Sequence, residues 1–414
     1  MYTLSFLTAL APIISEAFGA PSGARPGAGK AVGASGKAIY VMANQATNAV
    51  IALPIAANGL LSTKVGTSTA TGGAGASGID SATNQSAGPD ALFSQSSLKV
   101  AGNNLFAVNA GSNSLSMFAV DKQDATKLTM VGSPVAVPGE FPNTVAVSTK
   151  HNLACVGMTG ATAGVSCASF DAATGLGKMD ALRAFNLGQS TPPVGPLNTV
   201  SQVLFSEDES TMFATVKGDP TVNNTGFLAS FGVMAETGQK PASVSSQGQM
   251  ISPSGTAVLF GTAAIPDSAS LFATDASFGA AVLGVQGKVN AVGQGQAVDT
   301  VGAGAIQGQS ATCWAAISPA TGTAFVTDVG VPRLVQMSTD NASIINEIDL
   351  SANGDPGLID LAASGNFIYA LSPGNGTTKA AMLVVSTATM SMAQRVDLSA
   401  LGADKFVQGV TIRE

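Results

Sequence analysis

The chain is poor in the residues that carry much of enzyme chemistry. Its 414 residues include one histidine and three cysteines, and only 10% of them are charged. Because it has no histidine pair and no CxxC motif, it lacks the ligand sets typical of zinc sites. The net charge of −7, with no cluster of Lys or Arg, argues against a nucleic-acid partner. No internal apolar run reaches about 18 residues, so we expect no membrane-spanning helix.

In place of charge, the chain is rich in small and apolar residues. Hydrophobic types make up 45% of the sequence, aromatic residues only 5%, and glycine occurs 48 times. Long surface helices would need more Glu, Lys and Arg. The composition therefore predicts short β-strands joined by tight turns.

The N-terminal segment has the features of a signal peptide. Residues 2–20 are largely apolar and end near Ala17-Phe18-Gly19, a small-residue pattern that suits signal peptidase. The alternative is a hydrophobic N-terminal arm, because a basic start is missing and Pro12 and Glu16 interrupt the run. The predicted organisation is a signal peptide over 1–20, a flexible Gly/Ala/Pro-rich spacer over 21–37 and one domain over 38–414.

Four sequons also favour secretion, either into the medium or to the cell wall. Each Asn-X-Ser/Thr motif is weak alone, and chance matches are expected in a chain rich in Ser and Thr. The four predicted glycosylation sites are Asn84, Asn223, Asn341 and Asn375.

Two of the three cysteines have the spacing of a cross-strand pair. Cys155 and Cys167 flank a Gly/Thr/Ala turn centred near residue 161. Two strands paired around that turn would place the cysteines opposite each other, at a separation that a disulfide can bridge. We predict this disulfide, and we expect Cys313 to be a buried free thiol.

A repeat of roughly 45 to 55 residues, the length of a four-stranded propeller blade, runs through the chain. One unit covers residues 91–135 and splits at turn residues into the runs 91–100, 104–109, 114–120 and 127–134. Similar units are predicted to start near Asn143, Asn198, Met250, Ala311 and Leu358. The alternatives are a right-handed β-helix, which would repeat at about 20 to 25 residues, and a two-sheet sandwich, which would not explain the number of units.

The two ends of the chain complete a seventh unit. The N-terminal part offers three strands, at residues 38–42, 49–54 and 61–65, and no innermost one. The C-terminus has a spare strand at residues 406–413. Because an open ring would expose a sheet edge, we predict a monomeric all-β, seven-bladed β-propeller whose first blade is closed by the C-terminal strand.

Several stretches resemble a known family. LFAVNAGSNSLSMF, GEFPNTVAVS and TCWAAISPATGTAFVTDV are similar to blade motifs of the fungal 3-carboxymuconate cyclase-like propellers, secreted antigens and allergens of the lactonase-like seven-bladed group. The resemblance covers residues 38–413 and is specific for the fold, not for chemistry. It implies cofactor-free lactone closure or opening for some members, and a channel histidine in the catalytic ones.

Two sets of loops should reach the channel mouth of such a propeller: those leading into the innermost strands and those between the second and third strands. Arg333 and Lys217 could hold a carboxylate there, and Glu140 could be a general acid. The competing interpretations are a solvated loop arginine, an ion pair between Lys217 and Asp219, and a Glu140 that binds backbone amides.

Other polar and aromatic residues of these loops could bind a small-molecule ligand. The predicted ligand-binding set is Asn143, Asn198, Trp314, Asp328 and Asp355. Trp314 could equally fill space between blades. We expect no cofactor. Calcium is the one metal considered, through Glu140, Asn143, Asn198 and Asp355, with strand capping as the alternative role for these residues.

His151, the single histidine, lies in a predicted turn on the face opposite this mouth. A His-dependent mechanism is therefore not expected, in contrast to what the resemblance implies for catalytic members. Two hypotheses follow: a non-catalytic propeller that binds a small carboxylated or cyclic ligand, and a cofactor-independent lactonase, cyclase or isomerase.

Overall fold

The computed structural model describes residues 36–238, 240–290 and 292–414. The predicted signal peptide and almost all of the predicted spacer lie outside the described residues. The described residues form seven four-stranded antiparallel blades around a central channel, which confirms the predicted seven-bladed propeller.

Every blade runs from an innermost strand at the channel to an outermost strand at the rim. In that order, the strands of blade 1 are Gln408–Arg413, Ala38–Met42, Ala49–Pro54 and Thr67–Ala70; of blade 2, Leu98–Ala101, Asn104–Asn109, Ser114–Val120 and Leu128–Met130; of blade 3, Pro142–Ser148, Leu153–Met158, Ala163–Asp171 and Gly175–Leu176; and of blade 4, Val200–Phe205, Thr211–Val216, Phe227–Met234 and Ser243–Val244.

The remaining blades have the same order. Blade 5 contains Leu259–Ala264, Leu271–Asp275, Gly279–Gln286 and Ala297–Ala305; blade 6, Thr312–Ile317, Ala324–Asp328, Arg333–Met337 and Ile344–Asp349; and blade 7, Ile359–Ser364, Phe367–Ser372, Ala381–Ser386 and Ser391–Asp397. Short second rim segments pair in blades 2, 3 and 4, at Val135–Ala136, Arg183–Phe185 and Gln249–Ile251. The described helices are three-residue 3-10 turns, at Pro220–Val222, Ser351–Asn353 and Ser399–Leu401, and none could cross a membrane.

Blade 1 is built from both ends of the chain, as predicted. The strand Gln408–Arg413 pairs antiparallel with Ala38–Met42, with Tyr40 opposite Thr411. The Lys37 N–H donates to the Arg413 carbonyl at 2.6 Å. This pairing removes the open sheet edge that an unclosed ring would leave.

The predicted boundaries of blade 5 are wrong. Met250 belongs to the rim segment Gln249–Ile251 of blade 4, and the inner strand of blade 5 starts later, at Leu259, and covers Leu259–Ala264. The turn at residues 253–255, which resembles a turn within a blade, instead joins two blades. In blade 1, Leu61 forms only a single bridge to Ile55, so the third strand of that unit starts later, at Thr67.

The innermost strands share a feature that aims side chains at the channel. Blades 3 to 7 each have a β-bulge near the start of the inner strand. A bulge adds one unpaired residue and redirects its side chain. The bulged positions are Asn143 in blade 3, Ser201 in blade 4, Phe260 and Gly261 in blade 5, Cys313 in blade 6 and Asp360 in blade 7.

Candidate functional site

The segment between blades 1 and 2 lies across the channel. We call residues 90–97 the plug, and we call the face from which the inner strands start the upper face. Asp90, Phe93 and Ser96 adopt positive φ angles of 63°, 55° and 65°, which break the extended strand predicted over residues 91–100. The strand itself covers only Leu98–Ala101.

Hydrogen bonds tie the plug to inner strands around the ring. The Gln95 N–H donates to the Ser201 carbonyl of blade 4 at 2.9 Å. On blade 6, Gln95 Nε2 donates to the Ala315 carbonyl at 2.8 Å, and Trp314 Nε1 donates to the Ser94 carbonyl at 3.0 Å. Because these contacts come from different blades, the plug is fixed at the middle of the channel.

The plug divides the channel into two cavities, each of about 450 Å³. The upper pocket opens on the upper face between Asp90, Phe93, Lys217, Phe260 and Cys313, with further aliphatic and proline side chains around them. The lower channel lies beneath Gln95 and Ser96 and is bounded by inner strands. Both volumes fall in the range of small-molecule sites.

Lys217 is the buried cation of the upper pocket. It follows the second strand of blade 4, and only 1% of its surface is exposed. Its Nζ donates to the Phe93 carbonyl at 2.6 Å and to Ser201 Oγ at 3.1 Å, and it lies 4.2 Å from the centroid of the Phe260 ring. A lysine ammonium has three N–H donors, and the two protein acceptors use two of them.

Besides the half-buried Asp80, two further ionisable groups line the same pocket, Asp90 and Cys313. Burial raises the pKa of the Asp90 carboxyl to about 7, although the Lys217 charge and the N–H of Ser94 oppose the shift. Burial lowers the pKa of Lys217, and the nearby Asp90 partly offsets the change. Burial also raises the pKa of the Cys313 thiol well above its usual value. An acid and a base with pKa values displaced toward neutrality therefore share one apolar pocket.

The fold is shared with several solved structures. The periplasmic gluconolactonase of Pseudomonas aeruginosa aligns with a TM-score of 0.59 and 12% identity, over 90% of this chain and 98% of that chain. A 6-phosphogluconolactonase-like protein of Bacteroides fragilis aligns with a TM-score of 0.57 and 12% identity, over 92% and 98% of the two chains. A functionally unknown protein of Desulfotomaculum acetoxidans aligns with a TM-score of 0.58 and 10% identity, over 92% and 100%.

This chain therefore has the fold of the lactonase-like seven-bladed propellers. At these identities the likeness shows the fold alone. No family model matches the sequence, and no curated protein is similar to it.

Of the three predicted catalytic residues, Lys217 lines the upper pocket and the other two lie elsewhere. Arg333 starts the third strand of blade 6, where it forms an ion pair with Glu347 at 2.9 Å and donates to the Gln307 carbonyl at 2.8 Å. The half-buried Glu140 carboxylate accepts a hydrogen bond from the Thr191 hydroxyl. The structure does not bring these two together with Lys217.

The predicted ligand-binding residues mostly hold loops and the plug. Asn143 Nδ2 donates to the Leu92 and Val200 carbonyls, and Trp314 is fully buried with its ring centroid 5.0 Å from that of Phe260. Asn198 Oδ1 accepts from the side-chain amide of Asn224.

The two predicted carboxylates organise loops. Asp328 accepts N–H bonds from four loop residues, namely Ser310, Ala311, Gly330 and Val331. Asp355 is paired with Arg395 at 2.8 Å and accepts from the Ser372 hydroxyl.

The four residues considered for calcium each have separate partners. Among the described residues, no three His, Cys, Asp or Glu side chains are placed to hold a metal ion. These contacts add no support for calcium binding, which the sequence left open beside strand capping.

The predicted disulfide is present between Cys155 and Cys167, which pair directly across the second and third strands of blade 3. Cys313 is a buried free thiol, as expected, but it lies in the upper pocket. His151 lies in the turn between the first two strands of blade 3, on the lower face. The four sequon asparagines are all exposed.

Sequence reasoning missed Asp90 and the plug. Gly88-Pro89 predicts a turn before Asp90. The positive φ angles of Asp90, Phe93 and Ser96 have no signature in the sequence. The sequence does not indicate the bulge at Cys313 either. The regular alternation of side chains along a strand would predict a different orientation for this one.

Proposed function

We propose that this propeller binds a small carboxylated or cyclic ligand in the upper pocket, with Lys217 as the cationic anchor. The observation that carries the proposal is a buried ammonium, with two of its three N–H donors bonded to protein acceptors, in the lining of an apolar pocket of about 450 Å³. Charge-assisted hydrogen bonds are roughly twice as strong as neutral ones. A carboxylate or a lactone carbonyl oxygen at Lys217 is the ligand group that this arrangement favours.

Catalysis is the second candidate function, because Asp90 adds a group able to move a proton near neutral pH. For lactone hydrolysis, the Asp90 carboxylate takes a proton from water while the water oxygen adds to the lactone carbonyl carbon. The Lys217 ammonium stabilises the oxyanion that forms. The ring C–O bond then breaks, and Asp90 returns the proton to the ring oxygen, which yields a hydroxy acid.

The same two residues suit lactone closure of the cyclase type. Lys217 would hold a substrate carboxylate, a carboxylate oxygen would add to a conjugated double bond, and protonated Asp90 would give its proton to the adjacent carbon. A carboxyl with a pKa of about 7 is present in both forms at neutral pH, so it serves either direction. No histidine is needed in either scheme.

The test is a ligand and activity panel with two pocket variants. Lactones and muconates are screened by thermal shift, lactone hydrolysis is followed by acid release, and muconate closure by ultraviolet absorbance. Lys217→Met removes the anchor and is expected to weaken binding by about 10- to 100-fold. Asp90→Asn is expected to retain binding and to abolish turnover. Lys150→Met, an exposed lysine on the lower face, is the matched control.

The outcomes separate the candidates. Binding lost in Lys217→Met with no turnover in any form supports the binding function. Turnover lost in Asp90→Asn with binding retained supports the enzyme. Equal binding by Lys217→Met and the unaltered protein would overturn both, since each depends on the Lys217 charge.

We also propose that the protein is secreted, extracellular or wall-associated, as the fungal cyclase-like resemblance implies. The disulfide and the exposure of all four sequon asparagines support this location. Expression in a eukaryotic secretory host, followed by deglycosylation and mass measurement, tests it. A product in the medium with glycans at Asn84, Asn223, Asn341 or Asn375 is expected, and retention of the unmodified chain in the cell would contradict it.

A further inference from the structure

The lower channel contains a positive charge that the protein does not neutralise. Lys99 is the second residue of the inner strand of blade 2, and its side chain lines the cavity directly beneath the plug. Among the described residues, its ammonium has no hydrogen-bond or ion-pair partner. The residue is exposed to the space of the channel, and desolvation by the surrounding protein lowers the pKa of Lys99.

The Asp360 carboxylate, which raises the pKa of Lys99 through its charge, is already hydrogen-bonded to backbone N–H groups. One oxygen of Asp360 accepts the Leu361 N–H at 2.8 Å, and the other accepts the Val410 N–H at 3.1 Å. Burial raises the pKa of Asp360 to about 7, so its charge is only partial at neutral pH. Asp360 therefore does not cancel the charge of Lys99.

The wall around Lys99 combines polar groups with aliphatic side chains. Val145, Val203, Leu361 and Val410 come from inner strands of four different blades and line the cavity. On blade 5, Thr262 lines the same cavity, is 3% exposed, and has a hydroxyl without a partner. A buried hydroxyl without a partner is costly, and a ligand oxygen would satisfy it.

The lower rim carries acidic groups, but none of them forms an ion pair with Lys99 among the described residues. Glu207 and Glu414 are exposed at the opening, and the Glu209 carboxylate accepts from the Ser148 hydroxyl and from the Lys150 N–H. Charges that face solvent are screened by salt over about 8 Å, and the Glu209 carboxylate is already bonded to protein donors.

We propose that the lower channel is a binding site for a small monocarboxylate with an apolar body, which pairs its carboxylate with Lys99. The apolar body would lie against the aliphatic part of this mixed wall, and a second oxygen on the ligand would be held by Thr262. The ligand enters from the lower face, because the plug closes the channel above. This site is separate from the upper pocket and does not depend on the function proposed for it.

The test is titration calorimetry of the full chain with hexanoate. Hexanol and hexylamine are the comparison ligands, with an uncharged and a cationic head group on the same six-carbon chain. Hexanoate is expected to bind, and Lys99→Met is expected to weaken its binding by at least about 10-fold. Lys99→Gln is the second variant, used if the methionine variant does not fold by circular dichroism. Lys150→Met, a lysine exposed beside the rim, is the matched control and should bind as the unaltered protein does.

Lys217→Met locates the binding. Hexanoate affinity that is unchanged in Lys217→Met and lost in the Lys99 variants supports the proposal. Loss in Lys217→Met alone would place the ligand in the upper pocket and overturn it. Equal affinity for hexanol would show a merely apolar channel and also overturn it, as would the absence of hexanoate binding.

Discussion

Gly409 of the C-terminal strand lies directly against Leu98 of blade 2. A Cβ on Gly409 would come within 2.3 Å of both Leu98 Cδ2 and Ser97 Oγ, and its φ angle is +72°. Glycine is required here for two reasons: the positive φ angle, and the close approach of its Cα to the Leu98 and Ser97 side chains. The contact joins the end of the chain to the end of the plug, so closure of blade 1 and placement of the plug depend on each other.

Gly409→Ala should therefore be strongly destabilising. Positive φ costs an alanine about 1–2 kcal/mol, and forcing a methyl group into a packed contact adds about 1–3 kcal/mol. Urea denaturation measures the free energy of unfolding. The control is Gly102→Ala, because Gly102 also has a positive φ, of +59°, but nothing within 4 Å of the added Cβ. Equal losses in the two variants would show that the contact with Leu98 contributes nothing.

Phe260→Leu should make Lys217 easier to deprotonate. The ring stabilises the ammonium through a cation–π contact at 4.2 Å, and such contacts are worth about 2 kcal/mol when desolvated. Without the ring, the pKa of Lys217 should fall further below its usual value. An NMR pH titration of labelled lysine side chains follows this change.

Phe118→Leu is the matched control, since Phe118 is fully buried in the core cluster of blade 2 and its neighbours. It should lose similar packing stability and leave the Lys217 titration unchanged. An unchanged titration in Phe260→Leu as well would mean that the ring does not stabilise the charge.

The fold could be predicted from sequence because the blade pattern is local. Strands such as Ala49–Pro54 and Asn104–Asn109 are short apolar runs bounded by turn residues, and the structure has them with the predicted bounds. The spare strand at the C-terminus indicated the closure, since an open ring would expose a sheet edge. The shift at blade 5 arose because one turn motif serves both within and between blades.

The site was only partly predictable, because it depends on backbone geometry that residue types do not encode. Lys217 was found since it directly follows a strand at the upper face. Asp90 and Cys313 reach the same pocket through a positive φ and a β-bulge. Neither deviation follows from local propensity, and both are fixed by contacts with distant blades.

Removal of the Cys155–Cys167 disulfide should destabilise the protein by about 3 kcal/mol. The bond closes a short loop, with a sequence separation of 12, and loops of this size gain about that much from restricting the unfolded chain. The double variant Cys155→Ala/Cys167→Ala is compared with Cys313→Ala, which removes a buried thiol without a crosslink. Urea midpoints measure both. If the double variant lost no more stability than Cys313→Ala, the crosslink would be energetically neutral.

Stability should fall as the pH rises from about 5 to 7, and Asp360 should account for part of the fall. Burial raises the pKa of Asp360 to about 7, against an ordinary value near 4 in the unfolded chain. In this range the folded state holds a proton that the unfolded state has released, so each pH unit costs up to about 1.4 kcal/mol. The stabilising effect is complete below pH 4 and is lost as the pH passes 7.

Asp360→Asn removes this titration and should flatten the profile by up to one proton. The free energy of unfolding is measured by urea denaturation at several pH values between 5 and 7, and the slope is compared rather than the absolute stability, since Asn also changes the bonds to Leu361 and Val410. Asp121→Asn is the control, because hydrogen bonds from the backbone N–H groups of Asp124 and Gln123 lower the pKa of the exposed Asp121, so that it titrates below this range. An unchanged slope in Asp360→Asn would mean that the carboxyl is already ionised at pH 5, with the N–H donors around it outweighing its burial.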